Sequence, residues 1–304
     1  MDFIINNVHD GLCVREYLNN VLGVSRSELT ELKKKELGIV LNGVRVTVRA
    51  VLHSGDVLSL QREDNNDSQS INAVNIPLDI LYEDDDIIAL NKQYGMPTHP
   101  SHDHQHDTLA NGLAFYYKDK GIPFVFRAVN RLDRDTSGIV LVAKNKSSAF
   151  ILSKDMTEHR FEKKYIAITV GEADICGMIC KDIRRIEESK IKREVCPSGI
   201  GQHALTEYET LEAQNGTSVL SVTPKTGRTH QIRVHLSSIG YPILGDTLYG
   251  EENGSSLINR QALHAYSLSF THPTNKKIMR ITAPLPDDMG NLLSTELREK
   301  LCKR

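Results

Sequence analysis

Cysteine is scarce in this chain of 304 residues, and its five cysteines form no metal-binding or redox pattern. Cys176 and Cys180 are spaced C-x3-C with no second pair, which argues against a zinc ribbon or a redox motif. No apolar run approaches the roughly 20 residues that a membrane-spanning helix needs. The opening MDFIINNVHDG also lacks the order of a signal peptide. We therefore expect a cytoplasmic protein with reduced thiols and no membrane partner.

Basic residues are missing from one stretch. Residues 63–86 contain 8 acidic residues and no basic one, whereas residues 87–304 contain 29 basic against 24 acidic residues. The net charge of −2 therefore conceals a mildly basic body, which permits nucleic-acid binding. The polar stretch after residue 62 has no apolar period and predicts a flexible linker. We predict a small domain over residues 1–62, an acidic linker over 63–76 and a larger domain over 77–304.

Residues 9–61 predict a helix–helix–hairpin unit. An apolar helical stripe runs from Leu12 to Leu22, a second helix opens at Ser25, and a hairpin turns at Asn42-Gly43. Alternation after the turn predicts one face with Val44, Val46 and Val48 and another with Arg45, Thr47 and Arg49.

Cations are concentrated in this small unit. One interpretation is a solvated positive face, and the other is a surface that binds a phosphate backbone. The segments VREYLNNVLGVSRSEL, VLNGVRV and VLHSGDVLSL resemble the small RNA-binding domain named after ribosomal protein S-four. The resemblance favours RNA binding, and the candidate residues are Arg26, Lys33, Lys34, Lys35, Arg45 and Arg49.

The larger domain contains strand-like runs separated mostly by turns or short helices. The runs are DILYEDDDIIALNK, GIVLVAKN, KYIAITVG, ALTEYETLE, SVLSVTP and KKIMRITAP. Regular long crossovers, which a parallel doubly wound sheet requires, do not separate them. We predict an α+β fold with a mainly antiparallel mixed sheet, and a helix in the tail after Met289.

The stretch RLDRDTSG places four charges ahead of the apolar run Ile139–Val142. It is compatible with a plain turn, in which Asp133 pairs with Arg131 or Arg134. A phosphotransferase of the haloacid-dehalogenase kind, with the pattern D-x-D-x-T, fits poorly because Thr136 comes one place early. In the third interpretation Asp133 is a nucleophile or base acting at a sugar.

The same stretch resembles the signature of the RluA family of pseudouridine synthases, H-R-L-D-x-x-T-S-G. Asn130 stands where that pattern has histidine, a change that bears on loop packing more than on the chemistry. Three other segments are similar to family motifs and follow in the family's order. They are ILYEDDDIIALNKQYGMPTHPS, KKYIAITVG and KTGRTHQIRVHLSSIGYPILGDTLYG, and the closing segment RQALHAYSLSFTHP also resembles the family.

The resemblance implies an isomerase that detaches a uracil base from its sugar and rejoins it through carbon 5, with no cofactor. Asp133 would be the essential carboxylate beside the anomeric carbon, either attacking the sugar or removing a sugar proton. Arg233 would stabilise its negative charge in a site shielded from water. Tyr165 would stack on the flipped base, and its hydroxyl could act on the carbon 5 proton. Ordinary roles, a core tyrosine and a surface helix arginine, are the alternatives.

Further cations are candidates for substrate binding. Arg131 would fill the space that the flipped base leaves, or bind a phosphate. Lys163 and Lys164 would contact the RNA backbone, as would the run KDIRRIEESKIKR, which could equally be a solvated charged loop. Arg228 and His230 in the third motif complete the set of substrate-binding candidates.

A group of histidines (His99, His102, His104 and His106) suggests a metal site, but no cysteine or glutamate joins it. We therefore predict no metal. We expect a monomer that modifies RNA. Large-subunit ribosomal RNA is the first substrate expected by family analogy, and transfer RNA is the alternative. A catalytically silent RNA-binding protein is the alternative of a different class.

Overall fold

The computed structural model describes residues 2–22, 24, 26–61, 71–187, 189, 191–250 and 255–302. These fall into two compact units, one within residues 1–70 and 146–151, the other within 71–145 and 152–304. The second unit begins at Ile71, ahead of the predicted start at residue 77. Asn111 Nδ2 donates to Asn72 O at 2.7 Å there, and Val74 N donates to Asn111 O at 3.2 Å. Residues 63–70 of the predicted linker lie outside the described residues, and the function of each unit stays a prediction.

The first unit contains two short helices and a small sheet. Its elements are β1 (Asp2–Ile4), α1 (Val14–Glu16) continued by a π-helical turn (Tyr17–Val21), α2 (Arg26–Lys34), β2 (Ile39–Leu41), β3 (Val44–Arg45) and β4 (Val57–Leu60). Among the described residues the strands lie in the order β1-β4-β2-β3, and every pair is antiparallel. Leu18, Leu52 and Leu58 are fully buried between the helices and this sheet.

The hairpin of the first unit turns at Asn42 and Gly43, which both have positive φ (50° and 81°), as this tight turn requires. The predicted alternation after the turn is wrong, because β3 already ends at Arg45. Val44 is 67% exposed, whereas Val48 is buried. The chain leaves the sheet here because backbone hydrogen bonds close a turn over residues 47–50 instead of extending the ladder.

The remaining elements belong to the larger part of the chain. They are β5 (Ile80–Glu83), β6 (Ile87–Lys92), α3 (Leu109–Asp119), β7 (Ser137–Ala143), α4 (Lys146–Thr157), β8 (Glu162–Val170), β9 (Cys176–Cys180), β10 (Asp182–Arg185), β11 (Arg193–Cys196), β12 (Leu205–Gln214), β13 (Thr217–Pro224), α5 (Gln231–Ser237), β14 (Leu263–Thr271), β15 (Ile278–Thr282), α6 (Asp287–Gly290) and α7 (Thr295–Leu301). Each described helix is too short or too polar to cross a membrane.

One large sheet organises the second unit. Its strand order is β5-β6-β7-β14-β8-β13-β12-β9, with β15 paired to β14. Within the described ranges the pairs are antiparallel, with the exception of the parallel pair β7 and β14. The α+β class with a large mixed sheet is therefore confirmed. The charged run 181–193, considered as a loop from sequence, includes β10 and the start of β11, which form an antiparallel hairpin.

The strand β7 lies inside this sheet, and all seven of its residues are buried. Its pairing with β14 depends on Gly138, where φ is +109° and an added Cβ would lie 2.3 Å from Ala265 O. The chain enters β7 from the RLDRDTSG stretch. This close approach therefore fixes where that stretch lies in the unit.

Candidate active site

The loop from Arg131 to Thr136 leads directly into β7, and its backbone is held from several sides. Thr98 Oγ1 donates to Leu132 O at 3.1 Å and accepts from Leu132 N at 3.3 Å. Thr136 N donates to Asp133 O at 3.1 Å, which closes a turn. We refer to residues 131–136 as the aspartate loop.

Two buried cations bind the next carbonyl groups of the aspartate loop. Lys92, 1% exposed, donates from Nζ to Arg134 O at 3.0 Å and to the carbonyls of Gln93 and Met96. Arg260, 5% exposed, donates from Nη1 to Asp135 O at 3.3 Å. Burial lowers the pKa of Lys92 to about 7, although Asp135 and Asp133 oppose the shift.

Asp133 projects from the aspartate loop towards α5. Its Oδ2 accepts a hydrogen bond from Arg233 Nη1 at 3.2 Å, although 100 residues separate the two in sequence. Asp133 thus pairs with Arg233, and Arg134 pairs with the neighbouring Asp135. The Asp133 side chain keeps 29% of its surface exposed, so the loop presents a carboxylate that a substrate can reach.

Arg233 is bound on its other side by Asp246. Arg233 Nε and Nη2 donate to the two Asp246 carboxylate oxygens at 2.7 and 2.9 Å, a bidentate pair with both residues buried. Burial alone would lower the pKa of Arg233, but Asp246 and Asp133 outweigh it and raise that pKa. The guanidinium therefore stays charged and bridges a buried carboxylate and a reachable one.

Tyr165 lies on β8, paired with Ala265 of β14 and Val222 of β13. Burial raises the pKa of its hydroxyl above the ordinary value, and the negative charge of Asp133 adds to the effect. Tyr165 packs against two core clusters of the unit, so its ring is held from behind. The structure thus brings together Asp133, Arg233 and Tyr165.

Lys163 and Lys164 are separated by the alternation of β8. Lys163 lies on the Tyr165 face with its Nζ beside Gly227, and burial lowers its pKa. Lys164 lies on the opposite face, where its Nζ is 3.3 Å from Glu162 and it lines a small polar cavity with Arg280. The structure therefore does not bring Lys164 to the site.

His230 precedes α5 in a left-handed conformation, with φ 56° and ψ 18°. Its Nδ1 lies 2.8 Å from the Tyr249 hydroxyl, and its Nε2 lies 3.8 Å from Asp133 Oδ2. Burial lowers the pKa of His230, with Asp133 opposing the shift. His230 is thus a direct neighbour of the central carboxylate.

Asn130 stands at the one departure from the predicted motif, and its side chain binds the backbone of β7. Its Nδ2 donates to Ile139 O at 3.0 Å, and its Oδ1 accepts from Leu141 N at 2.8 Å. An amide supplies one donor and one acceptor at the right spacing for both groups. Asn130 therefore fastens the start of the aspartate loop to the strand that follows it.

Other predicted residues make no hydrogen bond or ion pair with Asp133 in the described part of the chain. Arg131 is exposed at the start of the aspartate loop. Arg228 is exposed and donates from Nε to His203 O at 3.0 Å. The side chain of Arg26 lies outside the described residues. The other five cations predicted to bind RNA belong to the first unit, and their places are given below.

The histidine-rich segment forms local contacts. His99 packs edge-on against Phe126 with ring centroids 5.0 Å apart. His102 lies 3.1 Å from Asp103, and His104 lies 2.6 Å from Asp107. These pairings leave the prediction of no metal untested.

One other group of possible metal ligands lies in the described part of the chain, formed by Asp84, Asp86 and His272. His272 Nδ1 accepts from the backbone N–H groups of Thr274 and Asn275, so its proton is on Nε2, which donates to Asp84 at 2.9 Å. A nitrogen that carries a proton is no metal ligand. The group is therefore explained as a structural contact.

Sequence reasoning missed several residues that hold the site. Asp246 lies within the segment KTGRTHQIRVHLSSIGYPILGDTLYG quoted above. It contacts Arg233 only because the chain turns back after α5, and the sequence did not indicate that contact. Lys92 and Arg260 also lie within quoted segments, but charged residues are normally solvated, so the sequence did not indicate that they are buried. Tyr249 lies in the same motif as Asp246, and its contact with His230 likewise depends on the fold.

Comparisons with known proteins show the family of this chain. A family model described as RNA pseudouridylate synthase matches residues 86–238. "Uncharacterized RNA pseudouridine synthase YjbO" of Bacillus subtilis (strain 168) is 40% identical over 94% of this chain and 99% of its own length. "Ribosomal large subunit pseudouridine synthase D" of Vibrio cholerae serotype O1 is 38% identical over 90% and 87%.

A solved structure agrees as well. "Human RNA Pseudouridylate Synthase Domain Containing 1" is 30% identical with a TM-score of 0.57, covering 68% of this chain and 83% of that one. The chain therefore belongs to the RNA pseudouridylate synthase family, whose members are isomerases that convert uridine to pseudouridine in RNA.

Proposed function

We propose that this enzyme isomerises specific uridines of large-subunit ribosomal RNA, with Asp133 as its essential carboxylate. The observation that carries the proposal is the hydrogen bond of 3.2 Å between Arg233 Nη1 and Asp133 Oδ2 beside Tyr165. A carboxylate that is both paired and reachable suits a reaction in which positive charge develops on a sugar.

The reaction breaks the bond between uracil N1 and the anomeric carbon of ribose. Asp133 stands at that carbon while the uracil turns over, and carbon 5 of the base then forms the new bond to the same carbon. The hydrogen of carbon 5 leaves as a proton, and N1 of the released base takes up a proton. Electrons and atoms balance within the nucleotide, so the step requires no oxidant, reductant or second substrate.

The target uridine has to leave its RNA stack to reach Asp133, and flipping it out requires a surface that replaces the lost stacking. Tyr165, supported from behind by the core, supplies that surface. Arg131, exposed at the start of the aspartate loop, takes the space left by the flipped base. Lys163, on the same face as Tyr165, and Arg228 bind the flanking phosphates.

Ribosomal RNA is favoured as the substrate by the relatives named as ribosomal large subunit pseudouridine synthase D, which this chain matches at 34–38% identity. The match to the Vibrio cholerae relative extends over 90% of this chain and therefore beyond the residues 86–238 of the family model. Transfer RNA is the alternative that the experiment below includes.

The first unit binds the RNA backbone in this proposal, like the domain named after ribosomal protein S-four. Lys33, Lys35 and Arg45 line one surface cavity of about 350 Å³ together with Leu32, Ile39 and the segment 46–48. Arg49 is exposed on the segment that follows. Lys34 is not among the residues that line this cavity, and its Nζ binds Glu31 at 2.8 Å.

The activity is tested by tritium release from RNA that carries tritium at uridine carbon 5. Ribosomal and transfer RNA from a strain that lacks the gene are assayed in EDTA with wild type and Asp133→Asn. Release by wild type alone, from ribosomal RNA alone, is the expected result. Release from transfer RNA alone would overturn the substrate, and tight binding without release would leave a silent RNA-binding protein.

The role of the first unit is tested on the full chain by measuring RNA affinity against salt concentration. We expect the triple variant Lys33→Gln/Lys35→Gln/Arg45→Gln to flatten the slope of log K against log salt by ~0.7 to 0.9 for each phosphate that the protein no longer neutralises. Lys34→Gln, which removes a neighbouring cation that does not line the cavity, is the control. If the two variants changed the salt dependence of RNA binding equally, this binding surface would be refuted.

A further inference from the structure

Two donors near Asp133 face the same carboxylate oxygen. Arg233 Nη1 lies 3.2 Å from Oδ2, and His230 Nε2 lies 3.8 Å from Oδ2. Oδ1 accepts no hydrogen bond from any described residue. The carboxylate is thus anchored on one side and open on the other.

The effect of His230 depends on which ring nitrogen carries its proton. If Nε2 carries it, an N–H group faces the carboxylate and attracts it. If Nδ1 carries it, a lone pair faces the carboxylate and repels it. The hydrogen bonds made by Nδ1 decide between these two forms.

Tyr249 determines the form of His230. The Tyr249 hydroxyl oxygen accepts a hydrogen bond from the backbone N–H of Arg193 at 2.8 Å. Its own proton is therefore available for His230 Nδ1, which lies 2.8 Å away. Donation by Tyr249 requires an unprotonated Nδ1, and this places the proton of a neutral His230 on Nε2, towards Asp133.

Two further observations support a specific role. His230 has φ 56°, a conformation that residues other than glycine rarely adopt and that persists where the surroundings impose it. Tyr249 is itself held, because its ring lies 5.1 Å from the Arg233 guanidinium and its N–H donates to Asp246 Oδ1 at 3.1 Å. The relay is therefore attached to the same pair that anchors Asp133.

We propose that Tyr249 and His230 form a relay that positions Asp133: Tyr249 fixes His230 as the Nε2–H form, and this N–H attracts Oδ2 beside the Arg233 hydrogen bond, so that Oδ1 faces the sugar. This inference rests on the proposed function of Asp133. His230 and Tyr249 are positioning residues, because they act on the carboxylate and not on the reacting base.

The variant Tyr249→Phe removes only the hydroxyl group that fixes His230. We expect kcat to fall on the order of tenfold at pH 8, the worth of about one hydrogen bond, with KM for RNA unchanged. Acid should restore the loss, because a doubly protonated His230 again presents an N–H group at Nε2. Tyr82→Phe, which removes a tyrosine hydroxyl bonded to Asp84 at 2.8 Å, is the matched control and should leave kcat unchanged.

The acid rescue occurs below the ordinary pKa of histidine, because burial lowers the pKa of His230. The charged groups that face this ring are Asp133, Arg233, Arg193 and Asp246. Of these, the carboxylates oppose the lowering and the arginines add to it. We therefore measure the rates of wild type and Tyr249→Phe between pH 5.5 and 8 and follow the ratio of the two proteins' rates as the pH changes.

The form of His230 is also measured directly, by long-range proton–nitrogen NMR correlation of its imidazole. His230→Asn, which tolerates the left-handed backbone, identifies the signal by its disappearance. The expected result is the Nε2–H form in wild type and a mixture in Tyr249→Phe. The Nδ1–H form in wild type would overturn the relay, as would an unchanged kcat or a loss in Tyr249→Phe that acid does not restore. Because the NMR measurement needs no turnover, failure of the proposed function and failure of the relay are distinguishable.

Discussion

Arg233 binds two carboxylates, and replacing each by its isosteric amide should separate catalysis from stability. Asp246 is 1% exposed, and its two oxygens bind Arg233 at 2.7 and 2.9 Å. Asp246→Asn leaves a buried guanidinium facing an amide, which costs about 3–5 kcal/mol of unfolding free energy. Asp133→Asn leaves Arg233 paired with Asp246 and changes a side chain that is 29% exposed, so the cost is about 1 kcal/mol or less.

The activities should follow the opposite order. In the proposed function Asp133→Asn removes the carboxylate at the sugar, and we expect loss of turnover by on the order of 10³-fold or more. Asp246→Asn keeps that carboxylate and should retain measurable turnover below its melting temperature. Urea unfolding ranks the stabilities of the two variants, and tritium release on the same preparations ranks their activities. A stable Asp246→Asn or an active Asp133→Asn would refute the reasoning.

Three further changes test other contacts. Lys92→Met removes an ammonium whose pKa is lowered from 10.5 to about 7. Between those values the unfolded chain binds a proton that the folded protein does not. As the pH rises, the free energy of unfolding of wild type should therefore increase relative to that of the variant by up to ~1.4 kcal/mol per pH unit. A difference between the two proteins that is the same at pH 7 and pH 9 would contradict this. Gly138→Ala places a Cβ 2.3 Å from Ala265 O and should cost more than about 3 kcal/mol, which thermal unfolding would measure. Tyr165→Phe keeps the stacking ring but loses the hydroxyl, so tritium release should slow at least about tenfold while RNA affinity stays unchanged. Equal losses of tritium release and of RNA affinity would refute separate roles for the ring and the hydroxyl.

Much of the fold was predicted from local sequence patterns, because those elements depend mainly on residues that are neighbours in sequence. The apolar run within Ser137–Ala143 became a buried strand, and the turn at Asn42-Gly43 formed with both residues at positive φ. Alternation failed at Val44, since a strand continues only where a partner strand accepts its hydrogen bonds. Strand β14 was missed because its partners β7 and β8 are distant in sequence.

Part of the candidate site was predicted because a family motif indicates contacts between residues that are distant in sequence. The spacing of residues alone does not indicate such contacts. Asp133 and Arg233 are 100 residues apart, and only the resemblance to a family connected them before their hydrogen bond was observed. Lys92 and Arg260 escaped notice because they bind backbone carbonyl groups, which are the same for every sequence. Contacts of that kind become visible only when the chain is folded.

The arrangement of charges around the aspartate loop explains how the site can tolerate a change in the charge of Asp133. Each buried guanidinium has a carboxylate of its own, Asp246 for Arg233 and Asp288 for Arg260. In the proposed reaction Arg233 therefore keeps a partner when Asp133 bonds to the sugar or takes up a proton, and the penalty of about 3–5 kcal/mol for an unpaired buried charge does not add to the barrier. In Asp246→Asn that protection is lost. The step in which Asp133 gives up its charge should then slow more than RNA binding weakens, so kcat should fall while KM changes little.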